Sequence, residues 1–205
     1  ELEYALDCGV GNIVVDSFRE ADMLDSIAAG KNIIQKVLIR INPGVEAHTH
    51  AFVQTARTDS KFGFSISDGT AEAIAKHVLA KKNLELRGFH CHIGSQIFEK
   101  QSFVLAANKV MQFAAEIRDG LGFEVKELNI GGGFGVWYNS DDPELKYEDY
   151  ADYLKALVAA VKQNAAKYKL AEPYLLLEPG RSIVGEAGIT LYTVGAIKDI
   201  PAVKK

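Results

Sequence analysis

The chain has 205 residues, 48% of them hydrophobic and 24% charged, with a formal net charge of −4. That balance suits a globular domain with a sizeable core, and it argues against a nucleic-acid partner because no basic run rises above scattered lysines. No apolar stretch approaches the roughly 18–20 residues that span a bilayer, and two cysteines, Cys8 and Cys91, make no disulfide framework, so no membrane partner and a cytoplasmic setting are expected.

The opening ELEYALDCGVGN reads as the last turns of a helix followed by a glycine stop, and it suggests a piece of a larger protein. NIVVDS (12–17) predicts a strand. DSFREADMLDSIAAGKN (16–32) predicts a helix with Asp16 or Ser17 as N-cap and a stop at Gly30. KVLIRINPG (36–44) is the next strand, and SDGTAEAIAKHVLAKKN (67–83) is a helix opening on Ser67 and Asp68. Its closing lysines suit the negative pole of a helix C-terminus. After the strand LRGFHCHIGS (86–95), the segment 102–122 places Phe103, Ala107, Val110, Met111, Ala114 and Ile117 at helical spacing before Gly120. KELNIGGGFG (126–135) and YLLLEPGRS (174–182) are the last two buried runs, separated by a helix over 147–168. GITLYTVGAIKD (188–199) is strand-like with no helix after it.

Near-continuous Val, Ile and Leu fit parallel strands buried on both faces. A doubly wound sheet and a (β/α)8 barrel both alternate in this way, but no Gly-x-Gly-x-x-Gly follows the first strand. Polar or glycine-rich residues end several different strands, as a barrel active site requires, so an α/β fold of the TIM-barrel type is expected. About strands 4–8 of it are present, over residues 1–187, and residues 188–205 begin the crossover into a second, β-rich domain.

The strand ends carry the chemistry. Gly131, Gly132 and Gly133 follow one strand, where backbone N–H groups could close on a phosphate; close packing is the plain alternative. Glu178, Pro179, Gly180 and Arg181 follow the next. A carboxylate leaving so apolar a run is costly unless paired, either with Arg181 in a structural salt bridge or with a cationic ring nitrogen. His90 and His92 share a strand face, a pattern that metal-dependent hydrolases also use, and AHTH (47–50) offers a second such pair. No histidine follows residue 92, and glycine-made anion sites do not ligate zinc, so no metal is expected. An anion nest, an arginine, a carboxylate and a flat ring together fit pyridoxal phosphate.

HCHIGSQ, NIGGGFG and EPGRS, in this order, resemble the barrel domain of the fold-type III pyridoxal-phosphate decarboxylases. The resemblance implies an alanine racemase-like barrel with pyridoxal 5'-phosphate as cofactor. By that likeness His92 stacks on the cofactor ring and Glu178 pairs with the ring nitrogen, and these two are the catalytic residues. Ser95, Gly131, Gly132, Gly133, Pro179, Gly180 and Arg181 hold the cofactor with them, and Arg181 also meets a substrate carboxylate. Racemases of this fold place arginine opposite the ring nitrogen, so Glu178 favours decarboxylation. His90 is read as a core residue, while Lys61 and Phe62 lie in a segment that approaches the site.

RINPGVEAHTH with TDSKFGFS (40–65) narrows the likeness to the branch that converts meso-2,6-diaminopimelate to L-lysine. Decarboxylases of ornithine, arginine or carboxynorspermidine share the barrel, and a non-enzymatic pyridoxal-phosphate-binding barrel is a more distant alternative. The family's Schiff-base lysine lies in a strand motif with no match in these residues. The chain alone is therefore expected to be inactive, whereas the whole protein takes a small amino-acid substrate and forms a homodimer with shared active sites.

Overall fold

The computed structural model describes residues 1–45 and 61–197. The AHTH pair at 47–50 and the last residues of the chain lie outside them. Helix α1 (Leu2–Asp7) ends at Gly9, whose φ of +67° turns the chain into β1 (Asn12–Val15). Helix α2 (Phe18–Gly30) follows, and Ser17, not Asp16, is its N-cap: the Ser17 hydroxyl accepts the Glu20 N–H at 3.0 Å. Strand β2 (Gln35–Asn42) leads through the two-residue β3 (Phe64–Ser65) to α3 (Thr70–Leu79). Next come β4 (Leu84–His90), α4 (Lys100–Leu121), β5 (Glu127–Asn129), α5 (Tyr147–Tyr168), β6 (Tyr174–Leu176) and the single turn α6 (Arg181–Val184).

All five expected strands form, and they pair in parallel in the order β1-β2-β4-β5-β6, with β3 beside the end of β2. Two boundaries differ from expectation. Gly120 lies inside α4, and Gly122, at φ +69°, is the residue that turns the chain out of the helix. Helix α3 starts two residues beyond Asp68, whose carboxylate accepts the Thr70 N–H at 2.9 Å.

The sheet is curled. Asn12 on β1 donates to Glu127 on β5 at 2.6 Å, across the width of β2 and β4. Strands spaced about 4.8 Å apart would put β1 and β5 roughly 14 Å apart in a flat sheet, too far for side chains that stand perpendicular to it. The helices cover the opposite, convex face, where Phe89 packs on Phe113 of α4 with ring centroids 5.0 Å apart. Leu128, Ile39 and Val37 join the same core. A curled parallel sheet with helices outside is part of a barrel wall, with β1 and β6 as its two edges among the described residues.

Register defines a bulge in β4. Val37 faces Leu86 but Leu38 faces Gly88, so Arg87 is an extra residue on β4. Gly88 is required here, since a Cβ would come within 1.8 Å of the Glu127 carbonyl oxygen.

Beyond α6 the strand expected over 188–199 does not form in the described part, residues 188–197. Among the described residues they have no neighbouring strand to bond with, and Ile189 and Leu191 stand more than four-fifths exposed.

Candidate active site

The carboxyl ends of β4, β5 and β6 meet at one rim of the curled sheet. A cleft of about 230 Å³ opens there, lined by His92, Ser95, Gly133, Glu178, Gly180 and Arg181. Six of the residues expected at the site are thus brought together.

Glu178 follows β6 and its side chain is 50% exposed to the cleft. Its N–H donates to the Gly131 carbonyl at 2.8 Å, which ties the end of β6 to the glycine turn. Its carboxylate accepts the Asn129 side-chain amide at 2.9 Å and lies 3.4 Å from His90 Nε2. Among the described residues Glu178 and Arg181 form no ion pair. Arg181 instead donates to the Ser95 hydroxyl and, at 3.0 Å, to the Tyr138 hydroxyl.

The three glycines do different work. A Cβ on Gly131 would come within 2.6 Å of the Cys91 carbonyl oxygen, and one on Gly132 within 2.0 Å of the Glu178 carbonyl oxygen. Their N–H groups are already engaged, Gly131 by the Asn129 side-chain oxygen at 2.8 Å and Gly132 by His92 Nδ1 at 3.3 Å. Close packing between strand ends therefore accounts for Gly131 and Gly132. Gly133 lines the cleft at φ +92°, and its N–H makes no hydrogen bond among the described residues. Pro179 is not among the residues that line the cleft.

His90 is 5% exposed, and its Nδ1 is buried without a partner among the described residues. Burial pushes its pKa below the usual imidazole value, against the opposing pull of Glu178. Burial also lowers His92, and Arg40 on β2 adds to the effect. Both rings are held neutral. Cys91 between them is fully buried, its thiol pushed up to about 12, an inert core residue. Among the described residues no three His, Cys, Asp or Glu side chains gather where a metal could bind.

Sequence reasoning missed several neighbours. Arg40 points inward from β2, pairs with Asp16 at 3.6 Å and stacks over Phe62 with its guanidinium carbon 4.6 Å from the ring centroid. Asp16 also accepts the Gly63 N–H at 2.6 Å, which ties the segment holding Lys61 and Phe62 to the ends of β1 and β2; neither residue lines the cleft. Burial raises the Asp16 pKa. An arginine inside the apolar run KVLIRIN was the available signal for this cluster. Asn129, hidden in KELNIGGG, gave none.

This rim brings an arginine, a half-open carboxylate and a glycine turn together at neighbouring strand ends, the end at which barrels of this type carry their ligand sites. The chain belongs to the pyridoxal-dependent decarboxylases: residues 1–185 match the family described as pyridoxal-dependent decarboxylase, pyridoxal binding domain. It is 45% identical over 204 residues to diaminopimelate decarboxylase of Bacillus methanolicus, covering 100% of this chain and 46% of that protein. Against the enzyme of the same name from Bacillus subtilis (strain 168) it is 46% identical over 205 residues, again 100% of this chain and 46% of the relative. The chain thus spans about half the length of the curated relatives it matches. Among solved structures, diaminopimelate decarboxylase of M. jannaschii superposes with a TM-score of 0.78 at 33% identity, over 98% of this chain and 46% of that one. The Helicobacter pylori enzyme complexed with L-lysine gives 0.75 at 30% identity, over 89% and 43%.

Proposed function

We propose that this chain is the cofactor-holding part of a pyridoxal-phosphate-dependent diaminopimelate decarboxylase, which converts meso-2,6-diaminopimelate to L-lysine. One observation carries the chemistry: Glu178 opens into the same cleft as Gly133 and Arg181 while, among the described residues, its carboxylate is bonded only by uncharged side chains. The likeness to enzymes of that name supplies the substrate.

The residues present fit the cofactor. A carboxylate that forms no ion pair with a permanent cation among the described residues suits a protonated ring nitrogen. The Gly133 N–H, unengaged among the described residues, the Ser95 hydroxyl and the Arg181 guanidinium suit a phosphate at the same mouth. When bound, pyridoxal phosphate supplies an electron-withdrawing ring that takes up the electron pair left on the substrate α-carbon as CO2 departs. Glu178 would keep the proton on the ring nitrogen by accepting its hydrogen bond. His92, locked by the Gly132 N–H on Nδ1, presents a neutral ring face. Arg181 meets an anion, phosphate or substrate carboxylate, once it leaves Tyr138.

In this reading residues 1–187 are part of the barrel and 188–205 begin the crossover to a β-rich domain. The exposed apolar side chains of 189–197 support that division, since such a stretch is costly in water without a cover. The whole protein is a cytoplasmic homodimer acting on a small amino acid; no helix among the described residues is long and apolar enough to cross a membrane.

The test is release of CO2 by the full-length protein with pyridoxal phosphate and diaminopimelate, with ornithine, arginine and carboxynorspermidine in parallel. Turnover of diaminopimelate alone is expected. Preference for another of these would move the protein to a different branch, and turnover of none would end the reading.

A further inference from the structure

We propose that Asn129 and His90 are positioning residues that grip the Glu178 carboxylate from two sides with uncharged donors and aim it at the ring nitrogen of the cofactor. This deepens the cofactor reading above and rests on it.

Asn129 is 7% exposed, and its amide orientation is settled by its neighbours. The side-chain oxygen must accept the Gly131 N–H at 2.8 Å, so Nδ2 is the atom that meets Glu178 at 2.9 Å. One side chain therefore links the glycine turn to the carboxylate. The main chain repeats the link, through the Glu178 N–H on the Gly131 carbonyl. The turn and the carboxylate are thus tied at two points.

His90 closes the other side. Its Nε2 faces both carboxylate oxygens at 3.4 Å, while its Nδ1 is buried with no partner among the described residues. A proton on Nδ1 would be stranded, whereas a proton on Nε2 meets Glu178, so the Nε2–H tautomer is selected. The charged and titratable groups around the ring are Glu178 beyond β6, Arg40 on β2 and His92 beyond β4. Burial and Arg40 disfavour an imidazolium. Both donors are thus neutral, and neutral donors orient a carboxylate without consuming its charge. A lysine in either place would satisfy Glu178 and compete with the cationic ring.

Asn129→Asp tests the grip directly. It keeps an acceptor for the Gly131 N–H but replaces the donor to Glu178 with a second carboxylate. Two carboxylates at that distance share a proton, so in the cofactor-free protein one should titrate at least about one pH unit above the ordinary range. Carbon-13 NMR of labelled carboxyls reads this, and ordinary titration of both would overturn the contact. His90→Gln, in full-length protein loaded with cofactor nitrogen-15-labelled in the ring, gives a second reading. Its kcat should fall about tenfold, a usual cost of losing an outer positioning group, while pyridoxal phosphate Kd stays within about twofold. The ring nitrogen should also lose its proton at lower pH than in the wild type. An unchanged nitrogen titration together with unchanged kcat would sink the role of His90. Failure of the unaltered protein to bind pyridoxal phosphate would instead count against the cofactor reading, and the carboxyl titration would still report the grip.

Discussion

Glu127 opens β5 at the amino end of the sheet, and Glu178 follows β6 at the carboxyl end, one strand away. Both are acidic residues placed inside a curled apolar sheet, yet they have opposite surroundings. Glu127 is 13% exposed and saturated: Arg87 donates at 2.9 Å and Asn12 at 2.6 Å. Arg87 also reaches Glu85 at 2.9 Å, and Lys126 adds a contact to Glu85 at 3.1 Å. Glu178 is half exposed, and among the described residues its carboxylate has only an amide and a neutral imidazole. A carboxylate whose charge is matched inside the protein holds the fold together. One whose charge is oriented but unmatched waits for a cation from outside.

The sharpest way to break this comparison is Glu178→Gln in the full-length protein. Decarboxylation should slow by about a thousandfold, in line with losing one key electrostatic group at a reacting centre, while cofactor binding largely persists. Near-normal turnover would make Glu178 a structural residue like Glu127. At the amino end, Glu127→Ala removes the acceptor shared by Arg87 and Asn12 and leaves Arg87 paired with Glu85 alone, so denaturant unfolding should show a loss of about 1–3 kcal/mol with pyridoxal phosphate affinity unchanged. A fall in affinity instead would mean that the two ends are not independent.

The histidines give the carboxyl end its own pH dependence. Both have folded pKa values below that of an ordinary imidazole, with burial the main cause. The unfolded chain therefore binds protons first as pH falls. Their contribution to stability is complete above about pH 6.5 and declines below it, until the folded rings protonate as well. Urea midpoints at pH 7.5 and 5.5 should differ, and the difference should shrink in a His90→Gln, His92→Gln double variant. The smallest expected effect is that of Lys126→Ala. Its pair with Glu85 is exposed, so unfolding free energy should change by less than about 0.5 kcal/mol.

The wall of the barrel was legible because each strand is a short run of Val, Ile and Leu, and burial on both faces demands such runs. Glu178, Arg181 and the glycines were legible because charge or glycine at the end of an apolar strand needs a reason. Strand β3 was not, since two residues carry no period and form a strand only beside the end of β2. His90 read as a core residue because its burial is real, and its partner lies 88 positions away. Gly131 and Gly132 read as phosphate donors, but their roles depend on the carbonyls of Cys91 and Glu178 that face them. Asn129 and Arg40 gain meaning only from the strands beside them.

The extra residue in β4 acts as a frameshift in the inside–outside alternation. Glu85 and Arg87 face the concave side below it, in odd-numbered phase; Gly88 and His90 face the same side above it, in even-numbered phase, with Phe89 turned out to α4. Deleting one residue at Arg87–Gly88 would restore a single phase along the strand. The shortened strand would keep His90 inside and Phe89 out, but it would lose either Arg87 with its ion pairs or Gly88, whose place admits no Cβ beside the Glu127 carbonyl. A strand built in two phases lets each end of the wall obey its own spacing, and it makes the length of β4 as strictly determined as any side chain on it.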